Sequence, residues 1–467
     1  MTANFRLTKA LTAFLFPLVA PASLVLPAAS QTMTVSTAAA RIERITFQGN
    51  RTEEKVLRKH LGITEGDPLT PLTLKSAQTA LWDMRQFKTV EVSSAALPGG
   101  NAEIDIKVKD GWYLLPFPFF TGGSGGGRGG LLLFSKNVFR QAESIMASAS
   151  SGAAGTSGAL ALQREGWSVR AIAGRRDISE RKYADGAFSA DSGYGSPPDE
   201  KDPSRYGPVA ESYGKTADET TISVGLPLAG GSARFPRLSA AFGWNRSRIG
   251  YSDPAPARPG DPGEQGQAFV SVKAGRDGAG AADSVGAIFG FGLADMERRL
   301  APLSAAAFTS SAGISYHRGA AWTGSDYGYA YFLAQCNGSL AWGAHHSLSL
   351  RLAGGHGDGL PPNRLLATGR ETGLSGSYAR EYRGDSAAGA SLVYSRQFRT
   401  TRRGAWQGAL FAEAARAWGG GTAGSKEGAG ASFWYKFWRF PLPLGISATY
   451  SFDDRDTQVS AALGGRF

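Results

Sequence analysis

Residues 103–120 read EIDIKVKDGWYLLPFPFF, and the chain changes character within this stretch, near Trp112. Before Trp112, apolar and charged side chains alternate strictly and close a segment that mixes helical and strand patterns. After it, glycine-rich segments with a period of two continue to Phe467. A period of two predicts strands, because successive side chains of a strand point to opposite faces. The sequence therefore predicts a small α+β domain at residues 41–110 and a mainly β domain at residues 111–467.

The small domain is predicted to be a three-stranded sheet with two helices on one face. Its strands are expected where apolar residues alternate with polar ones, at residues 41–47, 87–94 and 103–108. Thr52 can cap the first helix, and Gly62 can end it. Thr70 and Pro71 supply a cap and a first-turn proline for the second helix.

This order of elements resembles a POTRA domain, the periplasmic module of the BamA/TamA superfamily of outer-membrane assembly and translocation proteins. The matching pieces, in order along the chain, are ITFQGN at 45–50, GDPL at 66–69, FKTVEV at 87–92 and IDIKV at 104–108. Another small α+β domain built from the same elements is the alternative. The resemblance implies that the strand beginning at Phe87 lies at a sheet edge, where an extended client can pair with it. The predicted docking residues are Phe87, Lys88, Thr89, Val90, Glu91 and Val92.

The N-terminal residues predict export. Arg6 and Lys9 precede an apolar run at residues 10–26, and small residues follow. This order is typical of a cleaved signal peptide, here residues 1–30, and less of a membrane helix. The single cysteine, Cys336, excludes an internal disulfide and a multi-cysteine metal site.

Composition and strand number indicate a transmembrane β-barrel. Glycine makes up 63 of 467 residues and aromatic residues 11%, both typical of exported barrels. In residues 444–452, apolar residues predicted to face lipid alternate with small polar residues predicted to face the lumen. A soluble β-sandwich would alternate in the same way, but about 17 candidate strands follow residue 111, too many for one sandwich. Because single-chain bacterial barrels normally have an even strand number, the prediction is about 16 strands in the bacterial outer membrane, with the N-terminal domain in the periplasm.

The formal net charge of +11 does not predict a nucleic-acid partner, because the basic residues are scattered and the chain is exported. Outer-membrane lipid and lipopolysaccharide are the expected anionic partners. A solvated surface without a specific anionic partner is the alternative.

A long connection at residues 357–384 resembles the superfamily loop that folds back into the barrel lumen, five strands before the end. The resemblance predicts six lumen-loop residues: Gly376, Tyr378, Arg380, Arg383, Gly384 and Asp385. Ser375 stands where the family usually has the arginine that anchors this loop to acidic groups of the inner wall. Substitutes for it are Arg370, Arg380 or Arg383, with Glu413 as a candidate partner. An exposed loop whose charges only solvate it is the alternative.

The first and last strands of the barrel should meet at a weak seam. Gly464 and Gly465 reduce pairing because glycine has no side chain to pack, and Phe467 resembles the terminal signal read by the barrel assembly machinery. Pro116 and Pro118 cannot donate ladder hydrogen bonds. They lie either in the first strand or in the hinge before it.

No catalytic residue, cofactor site or metal site is predicted. The glycine run at 125–130 has dinucleotide-loop spacing but precedes a strand, so a hairpin turn is expected there. His345 and His346 are adjacent and therefore point to opposite faces of a strand.

The preferred function is an assembly or translocation factor. It would dock unfolded outer-membrane or secreted clients on the small domain and pass or insert them through the barrel. A passive pore or structural surface protein is the main alternative, and a barrel hydrolase a weaker one. One docking module is fewer than insertases of this superfamily usually carry, so the client, and whether protein or lipid passes, stay open.

Overall fold

The computed structural model describes residues 40–84, 87–111, 114–123, 126–152, 155–164, 167–191, 207–229, 237–251, 263–275, 307–342, 345–369, 372, 374, 380–401, 404–420, 422–437 and 444–463. The predicted signal peptide and Trp112 lie outside these residues.

The first unit is a three-stranded sheet with two helices: β1 (Ile42–Gln48), α1 (Glu54–Leu61), α2 (Pro71–Asp83), β2 (Phe87–Ala96) and β3 (Ala102–Asp110). β3 is central, parallel to β1 and antiparallel to β2. Leu57, Leu61 and Leu81 from the helices pack against Ile104 and Ile106 of β3 in one core. This short unit therefore has a continuous core of its own. Burial of each such side chain contributes about 1.5–3 kcal/mol to the free energy of folding.

Local signals set two helix ends as predicted. Thr70 accepts a hydrogen bond from the Thr73 N–H at 3.0 Å and precedes Pro71 at the first position of α2. Gly62 ends α1 with φ +69°, a conformation that glycine adopts without strain.

The second unit is β-structure joined by loops and two short 3₁₀ turns at Ala321–Thr323 and Pro362–Arg364. Its strands are β4 (Leu114–Gly123), β5 (Gly126–Lys136), β6 (Ser144–Gly152), β7 (Gly155–Arg164), β8 (Trp167–Tyr183), β9 (Phe188–Asp191), β10 (Val209–Ala229), β11 (Arg237–Tyr251), β12 (Gly263–Gly275), β13 (Ala307–Gly319), β14 (Tyr329–Trp342), β15 (His346–Asp358), β16 (Leu366–Ala367), β17 (Arg383–Gly384), β18 (Ser386–Thr400), β19 (Gly404–Gly419), β20 (Thr422–Phe437), β21 (Leu444–Ser451) and β22 (Asp456–Leu463).

These strands close into an antiparallel ring. Neighbours along the chain pair, with β8 followed by β10, β15 followed by β18, and β22 returning to β4. β9 pairs with β8 in a short hairpin. β16 and β17 are not strands of the ring and form a separate two-stranded sheet. The described residues therefore form a barrel of sixteen strands, which confirms the predicted fold. We call the end where β4 leaves the small domain proximal and the other end distal.

The two faces of the barrel wall differ as the alternation predicts. On β21, Leu444 and Ile446 are 50% and 56% exposed on the outside, whereas Ser447 and Thr449 point inward and are buried. Within the described residues, no helix is long and apolar enough to cross a bilayer.

The glycine run at 125–130 is not confined to a turn. From Gly126 onward it forms the start of β5, paired with β4. The hairpin connection itself falls at residues 124–125, outside the described residues.

Candidate functional site

The connection between β15 and β18, residues 359–385, crosses the barrel lumen. Gly357 donates its N–H to the Asp385 carbonyl at 2.7 Å, which closes the base of the connection at the distal rim. Side chains of the connection contact β8, β11 and β12 on one side of the ring. On the other side they contact the β21–β22 turn. The connection therefore bridges opposite walls.

Arg380 bonds the loop to two separate parts of the barrel, the β21–β22 turn and the β8–β9 turn. Its Nε donates to Asp454 Oδ1 at 2.9 Å, and its Nη1 donates to Asp185 Oδ2 at 3.0 Å. Lys426 Nζ on β20 donates to the other oxygen of Asp454. Arg380, Asp454 and Lys426 are 6%, 3% and 0% exposed. One buried carboxylate thus joins a loop cation to a wall cation.

Arg383 bonds the loop to β8. Its two terminal nitrogens each donate to a Glu180 carboxylate oxygen at 3.4 Å, and its Nε donates to Glu381 at 2.8 Å. Glu180 lies on β8, where the Tyr213 hydroxyl donates to it at 2.7 Å and Lys215 Nζ lies 3.5 Å away. Charge-assisted pairs of this kind are stronger than neutral hydrogen bonds.

Close backbone approach fixes the same segment. Glu381 exchanges two backbone hydrogen bonds, both of 2.7 Å, with β9. A side chain at Gly384 would collide with the Trp418 backbone, and one at Gly424 would collide with the Tyr382 ring. Glycine at both positions lets the loop lie directly on the inner wall.

The Asp454 cluster is ionised at neutral pH. Burial raises the pKa of Asp454, but the Lys426 ammonium and then the Arg380 guanidinium outweigh it and leave that pKa below its ordinary value. Burial lowers the pKa of Arg380, and Asp454 more than reverses this. Burial, followed by the Asp185 carboxylate, raises the pKa of Tyr382 to about 12, so its hydroxyl stays a donor.

Four of the six predicted lumen-loop residues are described, and all four lie in this segment: Arg380, Arg383, Gly384 and Asp385. Gly376, Tyr378, Arg370 and Ser375 lie outside the described residues. Glu413 is buried on the inner face of β19. The contacts described above join the two arginines to Asp454, Asp185, Glu180 and Glu381.

Sequence reasoning missed the wall residues Glu180, Lys426 and Asp454. One signal was available for Lys426, which shares its strand face with Gly428 and Ser432 and so had to point into the lumen. Which loop charge each wall residue meets depends on the barrel register, and no local pattern contains that information.

β22 and β4 form the seam that closes the ring. Within the described residues, four residue pairs join these strands, from Ser460 with Gly123 to Leu463 with Phe120. The predicted seam residues, Gly464, Gly465 and Phe467, lie outside the described residues.

Pro116 and Pro118 lie inside β4 and not in a preceding hinge. The Phe119 carbonyl oxygen lies beside Gly129 of β5. Because hydrogen-bonding groups of successive residues alternate between the two sides of a strand, the nitrogens of both prolines point away from β5, to the seam side of β4. Neither can donate, so the seam side of β4 lacks two ladder donors.

The predicted docking residues 87–92 lie on β2, which pairs only with β3 within the described residues and so forms a sheet edge. On the other outer strand, β1, Ile42 exchanges backbone hydrogen bonds with residues 66–67. On β2, Gln78 of α2 donates to the Val90 carbonyl at 3.0 Å and caps one edge acceptor. The docking role of β2 stays a prediction.

A buried contact joins the small domain to the barrel. Asn137, in the β5–β6 turn, donates from Nδ2 to the Thr52 hydroxyl at 2.7 Å, and the Glu53 N–H donates to the Arg140 carbonyl at 2.9 Å. The prediction that Thr52 caps α1 is wrong. Glu53 is the N-cap, without a side-chain cap bond, and the Thr52 side chain is turned toward the barrel. The tertiary hydrogen bond takes precedence over the local one.

Replacing Thr52 by Val is expected to loosen this contact. The substitution keeps the side-chain shape but removes the acceptor of the buried Asn137 amide, and an unsatisfied buried donor costs about 1–3 kcal/mol. Spin labels at Lys59 and Thr400, in a Cys336→Ser background, report the spacing of the two units by pulsed electron paramagnetic resonance. Their distance distribution should broaden.

The matched control is Thr79→Val, which removes an exposed hydroxyl that donates within α2. It should leave the distribution unchanged. A distribution for Thr52→Val as narrow as that of the control would show that the contact does not hold the two units together.

Within the described residues, no group of three or more His, Cys, Asp or Glu side chains is arranged to hold a metal ion. Nδ1 of His346 is hydrogen-bonded to the Tyr394 hydroxyl at 2.8 Å.

Comparison with known proteins identifies the small domain. The family model described as "POTRA: Surface antigen variable number repeat" matches residues 40–111. No curated protein matches the chain significantly. The protein is therefore a β-barrel that carries a POTRA domain.

Solved structures identify the barrel fold. BamA from Haemophilus ducreyi lacking POTRA domains 1–3 matches with a TM-score of 0.57 at 15% identity, over 91% of this chain and 84% of that one. CdiB from Escherichia coli matches with 0.59 at 11% identity, and CdiB from Acinetobacter baumannii with 0.54 at 12%. Both cover 91% of this chain, and 76% and 74% of theirs respectively. The protein is thus BamA/TamA-like in its fold, which confirms the resemblance seen in the sequence.

Proposed function

We infer that this protein is an outer-membrane assembly or translocation factor with its POTRA domain in the periplasm. It docks unfolded outer-membrane or secreted clients on β2 and passes or inserts them through the barrel. The observation that carries this proposal is the loop that bridges the lumen, bonded by Arg380 to the β21–β22 turn and by Arg383 to β8. A passive pore needs an open lumen, whereas a translocation path needs a closure that can be removed.

Ser375, which stands in place of the family arginine that anchors the loop, favours a passive pore. Arg380 and Arg383 of the same loop make the contacts with acidic residues that such an anchor requires. The serine at position 375 is therefore weak support for a passive pore. The two prolines on the seam side of β4, which cannot donate ladder hydrogen bonds, support a second exit route, sideways into the membrane.

β-Strand addition accounts for client capture at the POTRA edge. An extended client segment pairs with the free backbone groups of β2, and such pairing depends little on client sequence. One of those groups, the Val90 carbonyl, is already bonded to Gln78. The client therefore exchanges one side-chain hydrogen bond for a backbone ladder, and no nucleotide or cofactor is needed.

Photo-crosslinking in cells tests the proposal. A photoreactive amino acid replaces Glu91, which is exposed on β2, or Glu43, which is exposed on β1. Both are glutamates on outer strands of the same sheet, but part of the free side of β1 is occupied by residues 66–67. Adducts with outer-membrane or secreted proteins are expected at position 91 and should be much weaker at position 43.

Equal adducts at both positions would remove the edge-docking role. Absence of outer-membrane and secreted proteins from the adducts at position 91 would contradict the proposed clients. The host outer-membrane proteome then decides the wider function. Loss of this protein should lower the abundance of the same proteins that crosslink at position 91.

A further inference from the structure

The outer face of the barrel carries an apolar groove toward the proximal end of β18–β22. Its volume is about 540 Å³, within the range of about 300–1,000 Å³ typical of small-ligand sites. Small residues, Ala431 and Ala448, form its floor, and the Phe398 ring packs on Gly408 at one end. Its rims carry larger apolar side chains, among them Phe433, Ile446 and Val459. Val459 places one end of the groove on β22, the seam strand.

Arg396 lies at the other end of the groove. It is exposed on the outer face of β18, directly across the ladder from Gly408. Its guanidinium lies over the Phe398 ring, 5.8 Å from the ring centre. Within the described residues it has no acidic partner at ion-pair distance. The apolar groove thus ends at an exposed guanidinium that can donate hydrogen bonds to an anion.

Aromatic side chains indicate the depth of this site. Trp342 is the last residue of β14, Trp406 lies close to the start of β19, and both are 37% exposed on the outside. Outward-facing aromatic residues at strand ends mark the boundary between lipid tails and headgroups. Tyr394 and Phe398 bracket Arg396 at the same level, and a lipid-facing charge is tolerated there but costly at the bilayer centre.

We propose that this groove binds one phospholipid of the leaflet on the POTRA side. Its phosphate pairs with Arg396, and one acyl chain lies along Ala431 and Ala448 toward the seam. Guanidinium forks match phosphate oxygens, and the apolar floor matches an acyl chain. The inference rests on the proposed membrane orientation, but it concerns the outer wall of the barrel and not the lumen.

Native mass spectrometry of the purified protein, titrated with phosphatidylglycerol, tests this site. Arg396→Gln should weaken binding of the first lipid about tenfold, equivalent to 1.4 kcal/mol. The matched control is Arg318→Gln, which removes an exposed outward arginine at the distal end of β13. It should leave the first lipid unaffected. Diacylglycerol, which lacks the phosphate, should bind wild type and Arg396→Gln equally weakly.

A second variant tests the apolar part of the groove. Ala431→Phe fills the groove floor without changing charge and should also weaken the first lipid, provided the barrel still shows folded mobility on gels. Equal lipid affinity in wild type, Arg396→Gln and Ala431→Phe would overturn the proposal, as would equal loss in Arg318→Gln. Crosslinking at the POTRA edge and the ionic current through the barrel are measured independently of lipid binding. Failure of the lipid site is therefore distinguishable from failure of the proposed function.

Discussion

Asp454→Asn is expected to open the barrel. In planar bilayers, currents through the purified protein should change from small and fluctuating to large and steady. The Asp454 carboxylate is shared by Arg380 and Lys426, so an amide there takes the carboxylate partner from the buried Lys426 ammonium and leaves Arg380 paired only with Asp185. Removing one partner of a buried ion pair costs about 3–5 kcal/mol. That cost shifts the docking equilibrium of the loop by roughly 10²- to 10⁴-fold toward release.

The matched control is Asp453→Asn. Asp453 lies in the same turn but is exposed, and it accepts a hydrogen bond from the Glu427 N–H. Its replacement should leave the current unchanged. Because Gly357 and Asp385 are already hydrogen-bonded, residues 358–384 can be replaced by a two-residue Asn-Gly turn as a fully open reference. A large steady current from the intact protein, unchanged by Asp454→Asn or by the deletion, would contradict the plug.

The pH dependence of the same currents follows from Asp454. Its pKa in the folded protein lies below the ordinary value of 3.8. The ion pair therefore stabilises the docked loop fully above pH 3.8 and loses that contribution only as the pH falls through the lower, folded-state pKa. Wild-type currents at pH 7 and at about pH 5 should be the same.

The residues that sequence analysis identified correctly are those whose pattern is local. The alternation of Leu444 and Ile446 with Ser447 and Thr449 decides which face meets lipid, and that pattern needs no knowledge of neighbouring strands. The POTRA elements are likewise short segments with their own turns and caps. Strand number follows from counting such segments.

The residues that sequence analysis missed depend on contacts between distant parts of the chain. Arg383 and Glu180 are 203 positions apart, and they meet only because the ring closes with a particular register. Local rules predict that a lumen-facing charge needs a partner, but not which one. Thr52 makes the same point, since its sequence context fits a helix cap while the barrel turn supplies a better buried partner.

A disulfide across the seam is expected to hold the ring shut. Thr121 of β4 and Ala462 of β22 face each other in the ladder. Their Cα atoms should be about 4.5–5.5 Å apart, within the range of about 4.4–6.8 Å that a disulfide spans. In a Cys336→Ser background, oxidised Thr121→Cys/Ala462→Cys should slow amide hydrogen exchange in β22 at least about tenfold, or 1.4 kcal/mol. Reduction should restore the fast exchange.

Pro118→Val tests the cause of the weak seam without a crosslink. It returns one ladder donor on the seam side of β4. A net hydrogen bond is worth about 0.5–1.5 kcal/mol, so exchange in β22 should slow by roughly 2- to 10-fold. Pro227→Val is the control, because Pro227 lies in β10, which pairs with β11 over fourteen residues far from the seam. Exchange in unmodified β22 as slow as in β19 would contradict a weak seam.

The locked barrel also separates the two exit routes. If clients leave sideways, the oxidised protein should keep its crosslinks at Glu91 while client insertion into the membrane stops, and reduction should release the block. If clients instead cross the lumen, the lock should have no effect on them, and Asp454→Asn should change their passage. A client whose passage neither the disulfide nor Asp454→Asn affects would use no route through this barrel. The POTRA domain would then be the only part of the protein that handles it.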